Sequence, residues 1–97
     1  MNTTIKIHVT QKDIDEGLRS KCYDCPVARA INRRLRRPFV AKVRSHNWSI
    51  REGVRMSIRL VRVLPNEARW FVGQFDNFHP VEPFRFELSV PAKFLRA

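Results

Sequence analysis

The sequence predicts a small α+β domain, with a largely antiparallel sheet and two main helices packed on one face. Three observations predict it. Apolar residues alternate with polar ones near both ends of the chain, at Ile5, Ile7 and Val9 and again at Phe84, Phe86, Leu88 and Val90. Between these lie segments whose apolar residues recur three and four apart, as helices require. The chain has 97 residues, 43% of them hydrophobic, which is enough for one core and one domain over 1–97 but not for two.

Ile5 to Val9 is the first strand. Thr10-Gln11-Lys12-Asp13 resembles a capping box with Asp in place of Glu, so a short helix carrying Ile14 and Leu18 starts there, and Gly17 keeps it brief. Asp24 or Cys25 caps the next helix, with Pro26 in the first turn, where its missing N–H costs nothing. Val27, Ala28, Ala30, Ile31 and Leu35 share one side of this helix, and Arg29, Arg33 and Arg36 fall almost opposite. Pro38 is expected to end it, because the residue before a proline is pushed out of the α region.

Phe39, Ala41 and Val43 alternate with Val40, Lys42 and Arg44 as a strand, and Trp48 to Ile50 is a second, short one. Val54 to Leu64 reads as a further strand after a Glu52-Gly53 turn, because Val54, Ile58, Val61 and Val63 are β-branched. The competing reading is a helix over Ser49 to Leu64, since Arg51, Arg55, Arg59 and Arg62 are spaced four, four and three apart. Ala68, Phe71, Val72 and Phe75 place a helix over Asn66 to about Asp76. A proline-bearing loop then leads to the last strand, Phe84 to Val90.

Charge is distributed unevenly. The acids and bases of residues 1–28 cancel, as do those of 63–97, so the net charge of +10 resides in the middle. There Arg29, Arg33, Arg34, Arg36, Arg37, Lys42, Arg44, Arg51, Arg55, Arg59 and Arg62 face Glu52 alone. Self-repulsion on this scale persists where a partner neutralises it, so a polyanion or an acidic protein is expected. Ten of these eleven bases are arginine, the residue whose planar fork grips phosphate or carboxylate oxygens in pairs.

Chemistry is harder to find. Cys22-x-x-Cys25 supplies two of the four ligands a structural zinc takes and has no second pair, so both cysteines are weak metal candidates and read better as cytosolic thiols. No Ser or Cys nucleophile stands in a recognisable signature with His8, His46 or His79. Asp13, Asp15 and Glu16 lack the second carboxylate cluster of a two-metal nuclease. The chain is therefore read as a non-enzyme without cofactors. No apolar run reaches the roughly 20 residues of a membrane span, and no signal peptide opens the chain, so a cytoplasmic location is expected.

Val9-Thr10, Asp13-Ile14, Gly17, the stretch from Cys22 to Ala28, Leu64-Pro65, Phe71, Phe75-Asp76 and Pro83-Phe84-Arg85-Phe86 resemble a group of small bacteriophage proteins. The similarity covers most of the chain. It implies a phage accessory protein acting in the bacterial host cytoplasm, and it carries no catalytic residue across. The leading expectation is nucleic-acid binding, DNA or RNA, with weak sequence preference. Arg29, Arg33, Arg36, Arg37, Arg44, Arg51, Arg55, Arg59 and Arg62 would contact phosphates, and Trp48 either stacks on an unpaired base or, as is more common for tryptophan, is partly buried at a sheet edge. The alternative is an inhibitor presenting the same arginines to an acidic host protein. A homo-oligomer coating nucleic acid is a third option.

Overall fold

The computed structural model describes residues 2–96. Among them the chain forms β1 (Asn2–Val9), α1 (Gln11–Glu16), α2 (Pro26–Asn32), β2 (Phe39–Val43), β3 (Asn47–Glu52), β4 (Ser57–Val63), α3 (Asn66–Asp76) and β5 (Phe84–Pro91), followed by a 3-10 turn at Ala92–Phe94. Every strand pairing is antiparallel, and the class is α+β as the sequence predicts.

The strands do not form one sheet. β1 pairs with β5, and β2, β3 and β4 form a separate sheet in that order. The physical reason lies at the edge of β2. The Ala41 N–H donates to Asn32 Oδ1 at 2.7 Å, and the Val43 N–H donates to the Cys22 carbonyl at 2.8 Å. With those donors satisfied by α2 and the loop before it, β2 has no free ladder for β1, whose partner becomes β5. The two-residue alternation survives in that pair: Ile5 lies across from Leu88 and Ile7 across from Phe86, all buried.

α1 and α2 are each fixed by a side-chain cap at the N-terminus. α1 has the predicted capping box: Thr10 Oγ1 accepts the Asp13 N–H at 3.2 Å, and Asp13 Oδ2 accepts the Thr10 N–H at 2.9 Å. Cys25 caps α2, its Sγ accepting the Ala28 N–H at 3.5 Å, with Pro26 in the first turn. α2 stops at Asn32, well short of Pro38. The next residues are captured by the C-terminal segment instead: the Arg36 N–H donates to the Phe94 carbonyl and the Arg96 N–H to the Arg34 carbonyl, both at 2.9 Å, and Leu35 bridges Leu95. This pairing buries Leu35 and Phe94 in the core, a gain that continuing the helix would forfeit.

The region after Trp48 is strand, not helix. β3 runs longer than the expected Trp48 to Ile50, and residues 53–56 turn the chain with Gly53 and Met56 at φ 64° and 55°. α3 matches its prediction, with Ala68, Phe71, Val72 and Phe75 all buried. Phe71 stacks on Phe84 and Phe84 on Phe86, with ring centroids 4.7 and 5.4 Å apart, joining α3 to β5.

Candidate interaction surface

The arginines of the middle segment divide into two groups. Those on and after α2 are largely consumed inside the molecule. The Arg33 guanidinium grips Asp13 with two hydrogen bonds of 2.6 and 2.7 Å and reaches the His8 carbonyl at 2.9 Å. Arg29 lies against Asp13 and Glu16, at 3.4 and 3.0 Å. Arg34 donates to the Lys6 carbonyl at 2.8 Å, and Arg36 donates to the Lys93 carbonyl at 2.6 Å while lying over the Phe39 ring. Arg29, Arg33 and Arg36, expected at phosphates, thus have partners within the chain. The reason is tertiary: α1 packs against α2, so acids from the neutral first segment meet bases from the positive one.

Asp13 is the centre of this arrangement and is fully buried. Burial alone would push its carboxyl up. The Arg33 hydrogen bonds, the Thr10 N–H and the Arg33 charge outweigh burial and hold it down to about 2. Arg33 is shifted upward in turn, chiefly by its hydrogen bond to Asp13. The carboxylate pins α1 to α2 and takes no part in any external site.

Trp48 is corrected as well. Its indole is 1% exposed and belongs to the core, with no hydrogen-bond partner for Nε1 among the described residues. A ring in that position cannot stack on a base. It sits on the core side of β3, together with Ile50, where its apolar area is worth more than its polar atom.

The second group belongs to the three-stranded sheet. Arg37 precedes β2 and Arg55 lies in the β3–β4 turn, and the Gly53 N–H donates to the Pro38 carbonyl at 3.1 Å, which brings the two to one end of the sheet. Arg44, in the β2–β3 hairpin, marks the other end. Arg59 and Arg62 lie on β4; Arg59 pairs with Glu52, and Arg51 donates to Ser49 Oγ at 3.2 Å. Arg37, Arg44, Arg55 and Arg62 are exposed, and none of them forms an ion pair among the described residues.

These arginines are interleaved with apolar residues that the charge map alone does not single out. Ile58, Val61 and Val63 are 57%, 53% and 73% exposed, and Val54 in the turn is fully exposed. The register explains why. The irregularity between Ile50 and Arg51 leaves Arg59 without a partner on β3, a bulge that shifts the alternation of β4. Ile58 then stands across from Arg51, Val61 from Ser49 and Val63 from Asn47, on the face away from Trp48 and Ile50. The sequence held one signal: apolar residues at both parities of Ser57–Val63, more than a single buried face accommodates.

Other features offer less. Cys25 is buried and its thiol is pushed up to about 11, first by burial. No three His, Cys, Asp or Glu side chains gather as metal ligands among the described residues, so Cys22 and Cys25 gain no companions. An open groove of about 620 Å³ between α3 and the loop before β5 is lined by Glu67, Trp70, Phe71, Val81, Glu82 and Phe84, none of them a predicted site residue. No helix among the described residues is long and apolar enough to cross a membrane. Comparison of the sequence with protein-family models finds no matching family, and comparison with curated proteins and with solved structures finds no similar chain.

Proposed function

We propose that this is a non-enzymatic binding protein that uses its three-stranded sheet to hold an acidic partner protein. One observation carries the reading: Arg55, Arg59 and Arg62 alternate with the exposed aliphatic residues Val54, Ile58, Val61 and Val63. Guanidinium forks accept phosphate and carboxylate alike. A phosphate backbone, however, gives a valine nothing to pack against, whereas a protein interface combines apolar contact with arginine. The resemblance to small phage proteins makes a host protein in the bacterial cytoplasm the first partner to test.

Nucleic acid is the second reading, favoured by Arg37 and Arg44, which are exposed and form no ion pair among the described residues. The two respond differently to salt. With roughly four phosphate contacts, a DNA complex weakens ~100-fold between about 50 and 200 mM salt. An interface that buries aliphatic side chains is screened far less.

The experiment measures binding of a short peptide of alternating Glu and Val, and of a DNA duplex, at both salt concentrations. Peptide binding that persists at the higher salt supports the acidic-protein reading. Duplex binding without any peptide binding overturns it in favour of nucleic acid.

A further inference from the structure

The three-stranded sheet has two edges, and they are finished differently. On β2, Asn32 Oδ1 and the Cys22 carbonyl take the outward amides of Ala41 and Val43. On β4, no strand, helix or side chain among the described residues takes the outward groups. The direction of those groups follows from one bond. The Leu64 N–H donates to the His46 carbonyl at 3.0 Å, so by alternation the amides of Arg62 and Leu60 face β3, and those of Val61 and Val63 face the open edge.

An open edge lined by exposed aliphatic side chains is a template for strand pairing, and proteins ordinarily blunt such edges with charge or a bulge. β4 has both, in Arg59, Arg62 and the bulge at Arg59. Those guanidinium groups repel a second copy of this chain, which carries the same +10. Toward carboxylates they attract. We propose that β4 takes up an extended acidic segment of the partner protein as a fourth strand of this sheet, by main-chain hydrogen bonding to the Val61 and Val63 edge. The proposal rests on the acidic-protein reading above and specifies how that partner is held.

Strand geometry also sets the segment's pattern. Successive residues of an added strand point to opposite faces. One set lies over Ile58, Val61 and Val63 and is aliphatic. The other lies on the face shared by Trp48 and Arg62, which stand across from each other, and is acidic at the position beside Arg62. A segment alternating aliphatic and acidic residues satisfies the open backbone groups, the apolar strip and the guanidinium charge together. A nucleic acid satisfies only the last.

The test uses the alternating Glu–Val peptide and reads amide hydrogen exchange by NMR. On binding, the Val61 and Val63 amides are expected to exchange at least ~10-fold more slowly. Val61→Pro removes the outward donor without touching the β3 ladder, so it should weaken peptide binding about tenfold or more at an unchanged thermal midpoint, while Val61→Ile binds as the parent does. Should Val61→Pro fail to fold, N-methylation of the peptide at successive positions gives the same answer on the unaltered protein: alternate positions abolish binding and the intervening ones do not. Peptide binding with Val61 and Val63 exchanging as in the free protein, or with a flat N-methyl scan, overturns strand addition and leaves the acidic-protein reading standing. Complete absence of peptide binding overturns that reading itself. A free protein that sediments as a dimer with these amides already protected shows the edge to be occupied by a second copy, and overturns the proposal.

Discussion

Replacing Asp13 by Asn removes one charge from the most heavily shared side chain in the molecule while keeping its shape. The carboxylate is buried, receives two hydrogen bonds from Arg33 and one from the Thr10 N–H, and lies 3.4 Å from the Arg29 guanidinium. Its carboxyl is held at about 2 against an ordinary 3.8, a difference corresponding to about 2–3 kcal/mol of preferential stabilisation of the charged form. The Arg33 side chain is half exposed, so solvent screening reduces this to about 2 kcal/mol. We predict that Asp13→Asn destabilises the fold by about 2 kcal/mol at pH 7, which for a domain of this size lowers the thermal midpoint by about 8–16 °C. Because the folded value lies below the unfolded one, the stabilisation is present in full above about pH 4 and is lost as pH falls through about 2. The difference between parent and variant in urea unfolding should therefore shrink toward zero at the acid end. A difference below about 0.5 kcal/mol at pH 7, or one that does not change down to pH 2, would refute the assignment of Asp13 as the clamp between α1 and α2.

Further predictions concern the same architecture. Gly17→Ala places a methyl group 2.6 Å from the Asp13 carbonyl and 2.7 Å from the Pro26 ring, so denaturant unfolding should show a loss of about 1–3 kcal/mol; a neutral result would mean that α1 and α2 yield easily. Arg33→Gln leaves a buried carboxylate short of its main partner and should cost about 2–4 kcal/mol, whereas Arg62→Gln should leave the midpoint within about 0.5 kcal/mol of the parent and weaken Glu–Val peptide binding instead. Equal effects of the two on stability would erase the distinction between structural and surface arginines. Burial and the Asp76 charge raise the Cys25 thiol to about 11 despite the Ala28 N–H. Iodoacetamide at pH 8 followed by mass spectrometry should therefore modify Cys22 well before Cys25, and equal labelling would contradict the buried cap.

Where local chemistry decides the outcome, the residues announce it. Thr10 and Asp13 form the cap their spacing calls for, Pro26 opens α2, and the three- and four-residue spacing of Ala68, Phe71, Val72 and Phe75 yields a helix with those residues inside. The outer strands follow their alternation into register. The end of α2 was not legible in this way, because the competitor for Arg34 to Arg36 is a segment some sixty residues downstream, at Phe94 to Arg96. Nor was the fate of Arg29 and Arg33, whose carboxylates reach them only when α1 docks.

The sequence by itself determined the α+β class, the helix starts and the excess of positive charge, since each depends on neighbours within a turn or a strand. Only the tertiary structure decided which guanidinium groups are spent and which remain. Charge pairing and edge closure depend on distances between segments far apart in the chain, and those distances exist only after packing. The bulge at Arg59 turned Ile58 to the outer face of β4 beside Val61 and Val63, and with no strand or helix covering it among the described residues, a stretch that reads as an ordinary strand became the sheet's open edge.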